Sequence, residues 1–160
     1  MGVNHPCFVE FAADDAPRFG AMCVVFDAIR HDKETGAFRD EADWLAFFDD
    51  DALSHFWWPT ASEHAAYIER WQAASVEQRW SDPALSPPAW VFGSLFMAFE
   101  NGEYDLLACH RIDGVRARLE FAPLAYPYGG TDCMRALITA FGFRILAEDD
   151  GTGYQLFTGL

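Results

Sequence analysis

Apolar residues in the first half of the chain recur at the three- and four-residue spacing of helices that bury one side. After a short predicted strand at 7–12, Asp15 can cap a helix; the β-forming residues of 21–29 also suit a strand, and we favour the helix. Asp40 begins the next predicted helix. The acidic run 49–51 then indicates a break, because acidic side chains stabilise the N-terminal end of a new helix. The apolar positions of the first helix are Phe19, Met22, Cys23, Phe26 and Ile29.

A further helix is predicted after a proline. The piece at about 52–58 ends at Pro59, and Thr60 with Glu63 has the sequence of a capping box for a helix at about 61–74. We expect one side of this helix to face the core. Its residues, called the 65–72 stripe below, are Ala65, Ile68, Trp71 and Gln72.

Three prolines within 81–88 separate this helical half from a sequence with strand character. Beyond them, Asn101-Gly102 and Asp113-Gly114 are dipeptides suited to two-residue type I′ turns, whose central positions both need a positive φ. The pattern therefore predicts a three-stranded antiparallel meander, with strands at about 90–99, 104–112 and 115–122.

Two-residue turns also fix which residues face each other across the predicted meander. Leu106 then faces Phe121 on an apolar face that also carries His110, and the other face places Arg111 opposite Arg116, with Arg118 one pleat away. Opposed like charges destabilise a sheet, so something should compensate them. Carboxylates of the same chain are the favoured explanation, because acidic residues outnumber basic ones, and a bound anion is the alternative.

The same predicted face carries aromatic side chains beside the arginines. Trp90, Phe92 and Phe96 alternate onto it along the first strand. A wholly exposed face would leave a large apolar patch, so we expect a second layer or a homodimer contact to cover it. An apolar wall beside convergent positive charge is also what a small-ligand site requires.

The last third of the chain predicts one helix and two more strands. Thr131 can cap a helix that ends at Gly142, and strands follow at about 143–148 and 154–158. Helices early and strands late predict an α+β fold in a single domain, 1–160, with helices mainly on the apolar face of the sheet. Its helix-rich part is about 1–80 and its sheet-rich part about 89–160.

Cys133 lies in the first turn of that helix, just after the pair Gly129-Gly130. Free N–H groups and the positive helix end favour an anion or a thiolate there. A nucleophilic cysteine also needs a base; nothing near Cys133 in sequence provides one, and His110 could reach it only through the fold. A plain turn and an inert cysteine remain the favoured interpretation.

The balance of charge narrows the classes of partner. The 160 residues include 25 acidic and 11 basic side chains, a formal net charge of -14, which disfavours nucleic acid and anionic membranes. The excess divides between 15 acids and 6 bases in 1–80, and 10 acids and 5 bases in 81–160. The start of the chain lacks a secretory signal pattern, and the longest apolar run is far short of a membrane span. Scattered cysteines predict reduced thiols in a cytoplasm.

The spacing of histidines and cysteines predicts no metal site, and no motif predicts a cofactor. The preferred hypothesis is therefore a non-catalytic binding or interaction protein with a protein partner, since no complete catalytic constellation is present. The alternative is an enzyme or small-ligand domain that acts on an anionic molecule. Its candidate ligand-binding residues are Arg111, Arg116, Arg118, Phe92, Phe96 and Cys133.

Overall fold

The computed structural model describes residues 5–85 and 90–157, and it confirms the α+β class. The helices of this part are α1 (Ala16–Thr35), α2 (Glu41–Leu45), α3 (Asp50–Leu53), α4 (Ala61–Ala73), α5 (Val76–Ser81), α6 (Phe92–Asn101) and α7 (Asp132–Ala140), with a 3₁₀ turn at Pro83–Leu85. The strands are β1 (Cys7–Ala12), β2 (Tyr104–Arg111), β3 (Arg116–Pro123), β4 (Arg144–Asp149) and β5 (Tyr154–Leu156).

The five strands form one antiparallel sheet in the order β2-β3-β1-β4-β5. The first strand of the chain therefore lies at the centre, between strands that follow it by more than 100 residues. Helix α1 packs on β2 and α7 packs on β4 and β1, while α6 contacts both helices from behind. The hydrophobic core lies between this helical layer and one face of the sheet. We call the opposite side the outer face.

Capping side chains set the helix boundaries in the first half, as the sequence predicts. Asp15 accepts a hydrogen bond from the Arg18 backbone N–H at 3.0 Å, so α1 is a helix and the strand alternative is wrong. The break at the acidic run is confirmed, since Asp49 caps α3 through the Ala52 N–H at 2.8 Å. Thr60 and Glu63 form the expected capping box of α4.

The predicted first strand of the meander is wrong, because residues 92–99 belong to α6. The buried side chains of this segment, Phe92, Leu95, Phe96 and Phe99, follow helical spacing and fill the core. Gly102 ends the helix with a φ of -65° and is not the centre of a type I′ turn. Lys33 stabilises this end, because its ammonium donates to the carbonyl groups of Phe99 at 2.6 Å and Gly102 at 3.0 Å.

A β-bulge in β2 corrects the predicted register. Leu106 faces Phe121 as expected, but the ladder shifts at Leu107, so Cys109 instead of Ala108 faces Leu119. Beyond the bulge every side chain of β2 changes face. Cys109 and Arg111 therefore point toward the helices, and His110 lies on the outer face.

The connection between β2 and β3 is also longer than the predicted two-residue turn. The ladder closes at Arg111 and Ala117, and neither Asp113 nor Gly114 has a positive φ. The Asp113 carboxylate organises the loop instead, because it accepts from the backbone N–H groups of Val115 at 2.8 Å and Arg116 at 2.7 Å.

A buried ion pair ties the end of α1 to the segment before α2. The Asp32 carboxylate accepts from the Arg39 guanidinium through two bonds of 2.9 Å and from its backbone N–H at 3.0 Å. Burial disfavours the charged form of Asp32, but the hydrogen bonds and charge of Arg39 outweigh it and hold the pKa of Asp32 below its usual range.

We expect Asp32→Asn to lower the free energy of unfolding by about 1.5–3 kcal/mol at neutral pH, because hydrogen bonds to a charged group are lost. A carboxyl whose pKa is lower in the folded state stabilises the fold above its unfolded pKa, here near 3.8. The difference between the two proteins should be constant above that pH and shrink as the pH falls through the folded pKa. Urea denaturation across a pH series measures it. A difference that persists unchanged into strong acid would contradict this assignment.

Candidate functional site

The predicted arginine cluster is divided between the two faces of the sheet. Arg116 and Arg118 lie on the outer face, whereas the bulge turns Arg111 toward α1. There the Arg111 guanidinium donates to the Ala13 carbonyl at 2.8 Å and lies 4.8 Å from the centre of the Phe19 ring. The expected opposition of Arg111 and Arg116 is therefore wrong.

The two remaining arginines already have a carboxylate partner in the same chain. Glu10, in the central strand, is 1% exposed and accepts from Arg118 Nε at 2.9 Å, and Arg116 Nη1 lies 3.7 Å from its other oxygen. The Tyr154 hydroxyl also donates to Glu10, at 3.3 Å. The Arg118 guanidinium covers the Phe8 ring at 3.9 Å. This arrangement, called the Glu10 cluster below, is the favoured sequence explanation, in which intramolecular carboxylates compensate the arginines.

The aromatic wall expected beside the arginines lies elsewhere. Phe92 and Phe96 belong to α6 and are buried in the core on the other side of the sheet. Phe96 stacks on Trp44 with ring centres 4.5 Å apart, and Phe92 packs edge-on against Phe48 at 5.0 Å. The juxtaposition of these rings with Arg116 and Arg118 is therefore wrong.

Cys133 lies at the start of α7 as predicted, but it is buried. Its sulfur lies 3.3 Å from the Tyr104 hydroxyl, and burial raises the pKa of the thiol despite hydrogen bonds that act in the opposite direction. A protonated, buried thiol is a poor nucleophile. His110 cannot serve as its base, because His110 lies on the outer face and is paired with Glu120.

Thr131 occupies the N-cap position of α7 without capping it. Its hydroxyl donates instead to the buried Glu148 carboxylate at 2.7 Å, and Arg135 lies 3.7 Å from the same group. Across the described part of the chain, no three His, Cys, Asp or Glu side chains converge in a way that would hold a metal ion.

The larger cavities do not gather the predicted ligand-binding residues. A cavity of about 700 Å³ lies beside the start of β1 and contains His5, Cys7, Tyr126 and Asp149. None of the six candidate residues lines it. These residues do not place a nucleophile beside a base. We therefore assign no chemistry to this cavity.

The most unusual surface belongs to α4, which has no buried residue at all. Trp57 packs against one side of this helix. The centre of its ring lies 5.8 Å from the centre of the His64 ring and 5.7 Å from that of the Tyr67 ring. Ala65 and Gln72 lie about half a turn away from Tyr67 on the helical wheel, whereas Trp71 lies on the same side as Tyr67. All four side chains of the 65–72 stripe are exposed, so their predicted burial in the core is wrong.

The 65–72 stripe presents apolar surface to solvent. Ile68 is 38% exposed and Trp71 is 41% exposed, and on α5 Trp80 is 87% exposed. The Arg79 guanidinium stacks 3.9 Å above the Trp71 ring and donates to its carbonyl at 2.9 Å, which fixes the corner between the two helices. Neighbouring exposed apolar side chains, unlike single ones, mark interaction surfaces when they form a contiguous patch.

Negative charge is concentrated in the same part of the chain. Residues 40–82 hold 10 acidic and 2 basic side chains, which is more than half of the net charge of -14. Counting by halves of the sequence hides this concentration. The large apolar side chains exposed in this segment are Leu45, Trp58, Ile68, Trp71, Val76 and Trp80.

The chain matches no protein-family model, no curated protein and no solved structure. Within 5–85 and 90–157, no helix combines the length and the apolar character needed to cross a bilayer.

Proposed function

We propose that this protein is a non-catalytic binding protein, and that the 65–72 stripe of α4 binds a basic protein partner. The observation that supports the proposal most is that α4 buries none of its residues and leaves Ile68 and Trp71 of its apolar side exposed. Helices normally bury such a side. A helix that presents isoleucine and tryptophan at three-residue spacing suits recognition in an apolar groove of another protein.

The charge of this region favours a basic partner over a second copy of the chain. A homodimer through α4 would bring two strongly acidic segments together, and the repulsion would oppose association. A partner with lysines or arginines around an apolar groove would instead be attracted and steered onto the helix. Tryptophan anchors at the centre of such a contact supply most of the binding energy in known interfaces.

The geometry of the Glu10 cluster gives less support to the alternative hypothesis of an anion-binding domain. An anion would have to compete with a carboxylate that both arginines already contact. We also propose a cytoplasmic location, and the four cysteines, all free in this structure, support it.

We expect Ile68→Glu to weaken partner capture without unfolding the protein. Purified wild type, Ile68→Glu and the matched control Val24→Glu serve as baits for a lysate of the source cell, at low and high salt. Val24 is 56% exposed on α1, so the control adds the same charge at another exposed β-branched position. Wild type and control should retain one basic protein that high salt releases, and Ile68→Glu should bind it more weakly by about 2 kcal/mol or more.

Two results would contradict the proposal. In one, Ile68→Glu captures the same proteins as wild type. In the other, the only protein that distinguishes the baits is acidic, or is this chain itself. Circular dichroism of all three baits shows whether each is folded.

A further inference from the structure

Helix α1 packs along the edge strand β2, and the spacing of contacting residues on the helix matches that on the strand. At one end of the contact the Arg111 guanidinium lies 4.8 Å from the Phe19 ring, and at the other end Lys33 Nζ lies 4.6 Å from the Tyr104 ring. Four helical residues rise about 6 Å and two strand residues about 6.6 Å, so the elements stay in step between these ends.

Two cysteines occupy the middle of this contact. Cys23, four residues after Phe19, places its sulfur 3.7 Å from the Cys109 carbonyl oxygen, and the Cys109 side chain lies on the face of β2 that packs against α1. Cys109 faces the helix only because of the bulge at Leu107. The other cysteines lie apart from this pair, with Cys133 against the Tyr104 hydroxyl.

The two thiols differ in character. The neighbouring Cys109 side chain lowers the pKa of Cys23, and the Arg111 charge acts in the same direction, although burial and the Asp27 charge oppose them. The neighbouring Cys23 and burial raise the pKa of Cys109. Cys23 and Cys109 are both half-buried, so a small oxidant has partial access to the pair. A more acidic thiol beside a less acidic one is suited to stepwise thiol–disulfide exchange.

We propose that Cys23 and Cys109 are a redox-active pair that a small disulfide, such as oxidised glutathione, converts into an intramolecular disulfide. The Cys23 thiolate attacks one sulfur of glutathione disulfide, forms a mixed disulfide and releases one glutathione thiolate. Cys109 loses its proton to that thiolate and attacks the Cys23 sulfur, which forms the protein disulfide and releases the second glutathione as thiolate. Two protein thiols are oxidised, and one glutathione disulfide is reduced to two glutathione thiols.

Neither cysteine belongs to α4, since Cys23 lies in α1 and Cys109 in β2. The redox proposal therefore does not depend on the proposed binding function. The disulfide would link α1 covalently to the edge strand of the sheet. Reduced glutathione reverses the reaction, so the bond would form under oxidative conditions and be lost again in a reducing cytoplasm.

The test is to incubate the reduced full chain with oxidised glutathione and digest it with trypsin after blocking free thiols. Each of the four cysteines lies in a different tryptic peptide, since cleavage after the arginines gives 1–18, 19–30, 80–111 and 119–135. We expect a linked 19–30/80–111 pair whose mass is lower than the sum of the two by two hydrogen atoms. Ellman's reagent should show that two of the four thiols are lost.

Matched variants separate the pair from the other thiols. The double variant Cys7→Ser/Cys133→Ser should form the same linked pair and lose both remaining thiols. Cys23→Ser should leave Cys109 unmodified, because burial raises the pKa of the Cys109 thiol and keeps it protonated. A stable glutathione adduct on Cys23 with Cys109 still free, or no loss of thiols in the wild type, would overturn the proposal.

Discussion

Replacing Arg118 by glutamate should lower the free energy of unfolding by roughly 3–5 kcal/mol, the cost of breaking a buried ion pair from one side. In the ladder Glu10 lies directly opposite position 118, so the variant would place two carboxylates against each other in the centre of the sheet. It would also remove the guanidinium that covers the Phe8 ring. Urea denaturation at neutral pH measures the effect.

The matched control for this prediction is Arg144→Glu. Arg144 is an exposed arginine at the start of β4, and its ladder partner is Ala12, so the same change of charge should alter stability by no more than about 0.5 kcal/mol. The double exchange Glu10→Arg/Arg118→Glu should recover part of the loss. If Arg118→Glu proves as stable as the control, the guanidinium is free of Glu10, and the anion-binding hypothesis regains its support.

Trp44→Ala should cost about 3–5 kcal/mol, as expected when a large aromatic side chain is removed from a packed core. Trp44 is 0% exposed, stacks on Phe96, and donates its indole N–H to the Arg39 carbonyl at 3.2 Å. The Arg39 guanidinium, which is paired with Asp32, lies 4.9 Å from the centre of the Trp44 ring. The cavity left by the indole would therefore also loosen the Arg39–Asp32 ion pair.

Trp80→Ala provides the comparison, because Trp80 is 87% exposed. The same substitution there should change stability by about 0.5 kcal/mol or less. The two variants in parallel distinguish a tryptophan that holds the fold from one that is available to a partner. Equal losses of stability would mean that the segment after α4 packs on the body, and would contradict the exposed surface described above.

The helix boundaries of the first half could be predicted because their causes are local. Asp15, Asp40 and Asp49 each cap a helix through a backbone N–H three residues later, and this geometry depends only on neighbouring sequence. The α+β class followed from the same local patterns together with the later strands.

The predictions that failed depend on contacts between distant residues. The segment beginning at Phe92 fits both a strand and a helix, and burial against α1 and α7 decides for the helix. Nothing local marks Leu107 as the extra residue of a bulge. Likewise Glu10 meets Arg118 only because β1 inserts between β3 and β4, a topology that local patterns do not specify.

The 65–72 stripe shows a further limit. Periodicity identifies the apolar side of α4, but it does not say whether that side faces this chain or another one. The exposure of Ile68 and Trp71 decides it, and that exposure is visible only in the structure. The distribution of charge was available in the sequence, and counting it over 40–82 would have indicated the same region.

The most direct test of the proposed binding function is photo-crosslinking from α4 in the source cell. A benzoylphenylalanine is placed at position 68 in one variant and at the exposed position 24 of α1 in another. The account predicts a covalent adduct with one basic protein from position 68 and none of that adduct from position 24. An adduct formed equally from both positions, an adduct with a second copy of this chain, or none from position 68 would contradict it.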